Sequence, residues 1–169
     1  MSPDRDVERA LSSQSFQILV DDKLAFERDV TRKAYAYWNA ARGARSMPRR
    51  SDLTARGMKP FLRNVIVAEP RQVNGGWDYF VRLAGTEVEK VIGHVNGKFV
   101  GAAAAEELRP RWRFILDQAR VPPRPARCVS RVLAQKKTWL TAEAFVAPLS
   151  EDGQSVSMIF GCLDFWAAI

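Results

Sequence analysis

Few side chains in this sequence are of types that do covalent or metal chemistry, and their spacing decides which chemistry is open to them. His94 is the single histidine, which excludes a two-histidine metal site, a triad with a second histidine and most acid–base schemes. It lies in the glycine-flanked run Gly93-His94-Val95-Asn96-Gly97, a setting that fits a turn better than a haem ligand. Cys128 and Cys162 are the only cysteines; without CxxC spacing they argue against a zinc site or a disulfide framework. Both fall in strand-like runs and read as buried small hydrophobes. Gly93, Gly97 and Gly101 recur every fourth residue, but no Lys-Ser/Thr pair follows and no strand runs directly into a helix there, so this is not a phosphate loop. The adjacent acids Glu106-Glu107 and Glu151-Asp152 sit in polar stretches, unlike the buried carboxyl group that general acid catalysis needs. No catalytic constellation and no metal site emerge, and the sequence names no cofactor.

Binding chemistry remains. The alternation Tyr79, Val81, Leu83 puts those three side chains on one face of a strand and Phe80 and Arg82 on the other. Arg82 then either pairs with an acid such as Glu143 or meets a ligand or partner. The net charge of +7 is unevenly placed: residues 31–63 and 108–137 each carry nine basic groups against one acid, while the rest is acidic on balance. Arg45, Arg49 and Arg50 in the first belt and Arg111 and Arg113 in the second are expected to form one basic patch attractive to nucleic acid, anionic membrane or an acidic partner.

The elements that position these residues follow from pattern. At 169 residues, with 47% hydrophobic and 27% charged, the chain is expected to form one core. No apolar window is long enough to span a bilayer, and Met-Ser-Pro-Asp-Arg-Asp opens on charge, which together predict a cytoplasmic protein. Residues 1–23 read as a flexible arm, with the apolar run Phe16 to Val20 able to dock, and residues 24–169 as a single domain. From about Leu24 to Arg42 a helical period gathers Phe26, Val30, Ala34, Tyr37, Trp38 and Ala41 on one arc, and Gly43 ends it. Ser51 or Asp52 is expected to cap a short helix running to Lys59, which Pro60 closes. Strands are expected over Phe61–Glu69 and Trp77–Ala84, with Asn74-Gly75-Gly76 turning between them. Helical pieces follow at 86–92 and 102–120, the latter split by Pro110. Three strands close the chain, at about 126–133, 138–148 and 155–165, with turns at Lys136-Lys137 and Glu151-Asp152-Gly153. That order predicts an α+β fold, a five-stranded antiparallel sheet with helices on one face and an N-terminal helix.

The landmarks Tyr37-Trp38, Arg42-Gly43, Met47-Pro48-Arg49-Arg50-Ser51-Asp52, Phe61-Leu62-Arg63-Asn64-Val65, Val81-Arg82-Leu83-Ala84-Gly85-Thr86, Val88, Gly93, Gly97 and Pro148-Leu149-Ser150-Glu151-Asp152-Gly153 resemble, in order and spacing, a bacterial PAS-like family. Thr54-Ala55 depart from it where a proline is usual, and His94-Val95-Asn96 where the family is more acidic. The resemblance implies a non-catalytic sensory or interaction module whose helices and inner sheet face enclose a cavity for a small molecule, here expected to involve Tyr79, Val81, Leu83, Trp112 and Cys162. The Asn-Cys-Arg-Phe run of flavin-attaching relatives is absent. A separate signalling partner is expected, and the resemblance points to a homodimer through the flanking helix, with Phe26, Val30, Tyr37, Trp38 and Arg82 as partner or interface residues; the competing reading is that the stripe caps the domain's own sheet in a monomer.

Overall fold

The computed structural model describes residues 17–103, 106–134 and 138–167. The expected arm over residues 1–16 and the Lys136-Lys137 turn lie outside the described residues. Strand β1 (Leu19–Asp21) is followed by helix α1 (Asp29–Arg42), the short helix α2 (Ala55–Met58), strands β2 (Val65–Val73) and β3 (Gly76–Ala84), helices α3 (Thr86–Ile92), α4 (Val100–Ala103) and α5 (Arg109–Arg120), and strands β4 (Ala126–Ala134), β5 (Thr138–Leu149) and β6 (Met158–Ala167). All neighbouring strands pair antiparallel in the order β1-β4-β5-β6-β2-β3. The class is α+β as expected, but the sheet has six strands instead of five. The sixth comes from the segment read as an arm: Ile18 is buried, and Leu19–Asp21 pair with Val129–Arg127.

Alternation along the strands builds two cores, one on each sheet face. Ala142, Ala144 and Val146 of β5 join Ile66, Val81, Trp112, Ile115 and Leu116 on the side covered by α3, α4 and α5. Phe145, Ala147 and Leu149 join Phe26, Trp38, Met58, Phe61 and Phe160 on the side covered by α1 and α2. Helices therefore cover both faces, the N-terminal pair on one and the middle group on the other.

Several boundaries differ from the sequence expectation, each for a local reason. Helix α1 begins at Asp29 and not Leu24, because Leu24 has φ +58° and the Glu27 and Arg28 amides donate to the Glu143 carboxylate at 2.9 and 3.0 Å. Thr54, not Ser51 or Asp52, caps α2: its hydroxyl accepts the Gly57 amide at 3.0 Å. Asp52 lies in a 3-10 turn and accepts the Arg49 amide at 2.8 Å. Strand β2 starts at Val65 because Leu62–Asn64 form another 3-10 turn. Pro110 lies in the first turn of α5, where its missing N–H goes unneeded.

Candidate ligand cavity

Beneath α5 the first core leaves a cavity of about 20 Å³. Ile66 and Val81 form its floor, Trp112, Ile115 and Leu116 of α5 its roof, and Ile92, Val95, Val100, Val146 and Leu163 its sides. At roughly 24 cal/mol per Å³ such a void costs only about 0.5 kcal/mol. Trp112 costs more: it is 4% exposed, and its indole Nε1–H finds no acceptor among the described residues. A buried unsatisfied donor costs about 1–3 kcal/mol, so the unmet donor on this lining residue outweighs the void in energy.

A polar clasp holds the roof helix. The buried Tyr79 hydroxyl of β3 donates to Asp117 Oδ1 of α5, and Arg120 Nε donates back to that hydroxyl at 3.0 Å. Arg120 also bonds Asp117 at 3.1 Å. Burial first, and then the Asp117 charge, push the phenol pKa up, so Tyr79 stays a donor across the physiological range.

With this sheet order and roofed cavity in view, comparison with known families is decisive: the PAS domain family matches residues 26–164. The chain belongs to the PAS domain family. A search of curated proteins found no match for it.

Within this PAS domain many of the landmark residues meet each other, and of them Val81 alone is among the residues that line the cavity. Trp38 Nε1 donates to the Pro148 carbonyl at 3.1 Å, and the Ser150 amide donates to the Pro48 carbonyl at 2.9 Å. The Arg50 amide donates to Glu151 at 3.2 Å, and the Thr54 amide to the Tyr37 hydroxyl at 3.0 Å. Gly85 lies so close to the Phe61–Val65 landmark that a Cβ there would collide with the Arg63 carbonyl. The joint spacing of these motifs is thus the signature of two packed corners.

Of the residues expected at the pocket, Val81 and Trp112 line the cavity, and Tyr79 belongs to the same core and clasps its roof. Leu83 and Cys162 lie on the opposite sheet face. For Leu83 the cause is a bulge: Val67 pairs with Leu83 and Ala68 with Val81, leaving Arg82 extra and flipping the alternation. Cys162 has the parity of Phe160, and its thiol, pKa raised chiefly by burial, donates to the Val30 carbonyl at 3.6 Å.

The other expected sites separate as well. Phe26 and Trp38 are buried against the domain's own sheet, with Val30 and Tyr37 packed beside them, so the stripe offers little free surface. Arg82 pairs with Glu69 at 2.8 Å, not Glu143. The five arginines form no single patch. Arg45, Arg49 and Arg50 follow α1 on one side of the sheet, with Arg45 bonded to Asp52 at 2.8 Å and Arg50 to the Leu53 carbonyl at 2.8 Å. Arg111 and Arg113 ride on α5, on the other side, where they bond the Arg131 carbonyl and Asp78.

Sequence reasoning missed the buried Glu143–Arg127 pair. Glu143 is 0% exposed; it accepts Arg127 Nε at 2.8 Å, the two α1 entry amides and the Thr31 hydroxyl. Arg127 also reaches Asp21 of β1 at 3.2 Å. A lone acid between the alanines and aromatic of Thr-Ala-Glu-Ala-Phe is the signal that could have found it. Among the described residues no three His, Cys, Asp or Glu side chains converge as metal ligands, and no helix is long and apolar enough to cross a membrane.

Proposed function

We propose that this PAS domain is a non-catalytic sensor in which a small, mostly apolar molecule with one hydrogen-bond acceptor enters beneath α5 and is read out by a separate signalling protein. The observation that carries this reading is Trp112, which lines an apolar cavity and whose buried indole N–H has no acceptor among the described residues, since a ligand that shifts this ring and supplies an acceptor removes that cost. A void of about 20 Å³ has room for one water-sized group, so a larger ligand must lift α5 against the Tyr79 clasp. That displacement of a surface helix is the signal.

The test is thermal unfolding of the full chain against a panel of short methyl ketones, aldehydes and lactones, with the parent alkanes as controls. At least one carbonyl compound should raise Tm progressively with its concentration, and the gain should vanish in Trp112→Phe. No stabilisation by any member, or equal stabilisation in the variant, would refute the proposal.

A further inference from the structure

A second concavity lies outside the core, between the β2–β3 hairpin and helices α4 and α5. Its volume is about 390 Å³, within the range of sites that take small molecules, roughly 300–1,000 Å³. Asn74, Trp77 and Asp78 form one wall, Phe99 another, and Arg113 reaches in from α5. Trp77 is 44% exposed, and the Arg120 guanidinium lies 4.4 Å from its ring centroid. An aromatic ring of this size, held by a cation and nearly half open to solvent, is a ready stacking platform.

The cleft offers an anion a guanidinium whose bond to its carboxylate partner is long. The Tyr79 and Gly101 amides donate to Asp78 Oδ1 at 2.8 and 3.2 Å, and Arg113 Nη2 reaches the other oxygen, Oδ2, at 3.3 Å. Arg113 Nε is buried with no acceptor among the described residues, while the side chain as a whole is 39% exposed, so its open part is the guanidinium end. A Cβ on Gly101 would collide with both Arg113 Nη2 and Asp78 Oδ2, so glycine at that position is what lets the arginine reach into the cleft. A partly exposed guanidinium with one long carboxylate bond, beside an exposed indole, matches a planar ring bearing a carboxylate.

We propose that this cleft is a second binding site, for a small aromatic carboxylate whose ring stacks on Trp77 and whose carboxylate bonds Arg113. Its occupancy is independent of the core cavity, but the two are mechanically joined, because Arg113 follows the cavity residue Trp112 in α5. The experiment is a titration of the ¹⁵N-labelled full chain with 1-naphthoate, and in parallel with the neutral 1-naphthamide. Naphthoate should move the Trp77 indole and the Asn74 and Gly101 amide signals saturably. Affinity should fall about tenfold, the equivalent of about 1.4 kcal/mol, for the amide and for Arg113→Gln. Trp77→Ala, at a position 44% exposed, should weaken naphthoate binding similarly and gives a second, independent test if the arginine variant is unstable. Shifts that do not saturate, that centre on Val81 and Ile115, or that are equal for acid and amide would overturn the assignment.

Discussion

Glu143 shows how much one buried side chain decides. It replaces the usual Ser, Thr, Asp or Asn cap with a carboxylate supplied from β5, and it ties α1 to β4 through Arg127 and to β1 through Arg127 and Asp21. Burial works against its charge, but the bonds from Thr31, the Glu27 and Arg28 amides and Arg127 outweigh burial and hold its pKa below the ordinary value. A depressed carboxylate contributes stability that is complete above the unfolded-state pKa, about 4.3 for glutamate, and lost as pH falls through the folded value. Glu143→Gln should therefore lower stability at neutral pH by about 3 kcal/mol, the low end for breaking a buried pair because Asp21 still meets Arg127. The variant should also lose less stability than the parent on acidification below roughly pH 4.3; urea midpoints across pH check both, and a parallel acid limb would contradict the role. That Glu143 is special is legible from its apolar neighbours. Its partners are not, because they are set by strand register between segments over a hundred residues apart.

Elements are legible where the signal is local. The apolar period of α1, the Asn74-Gly75 turn and the breaks at Gly43 and Gly93 all appear in the structure. Boundaries depart from expectation where a distant group intervenes, as at the entry to α1, and the bulge at Arg82 moves Leu83 across the sheet without a turn residue to announce it. Helix α5 roofs the cavity, and its hold on β3 is testable. Tyr79→Phe removes the shared hydroxyl but leaves Arg120 bonded to Asp117, so the expected loss is roughly 2 kcal/mol, the worth of a bond to a charged group. Hydrogen exchange should speed up in α5 amides and not in α1, which packs on the other sheet face. Equal acceleration in both helices would mean that the clasp only adds global stability.

At the scale of the whole molecule, the α+β class and antiparallel sheet are readable from the order of elements, while the use of both sheet faces is not. Counting helices cannot say which side each one takes; the parity of Phe145 against Val146, two neighbours in different cores, decides it. The same division explains why two basic belts in the sequence never become one surface. It also separates the landmark corners under α1 from the cavity under α5, so those corners fix the scaffold, and under the proposed function ligand choice falls to Trp112 and its neighbours. The most direct test of that assignment is the indole N–H resonance of Trp112 in the ¹⁵N spectrum of the full chain, followed as a stabilising carbonyl compound is added. A saturable downfield shift is predicted at Trp112, as its Nε1–H gains an acceptor, with the exposed Trp139 indole unmoved. A Trp112 resonance that stays fixed while the compound binds would contradict it.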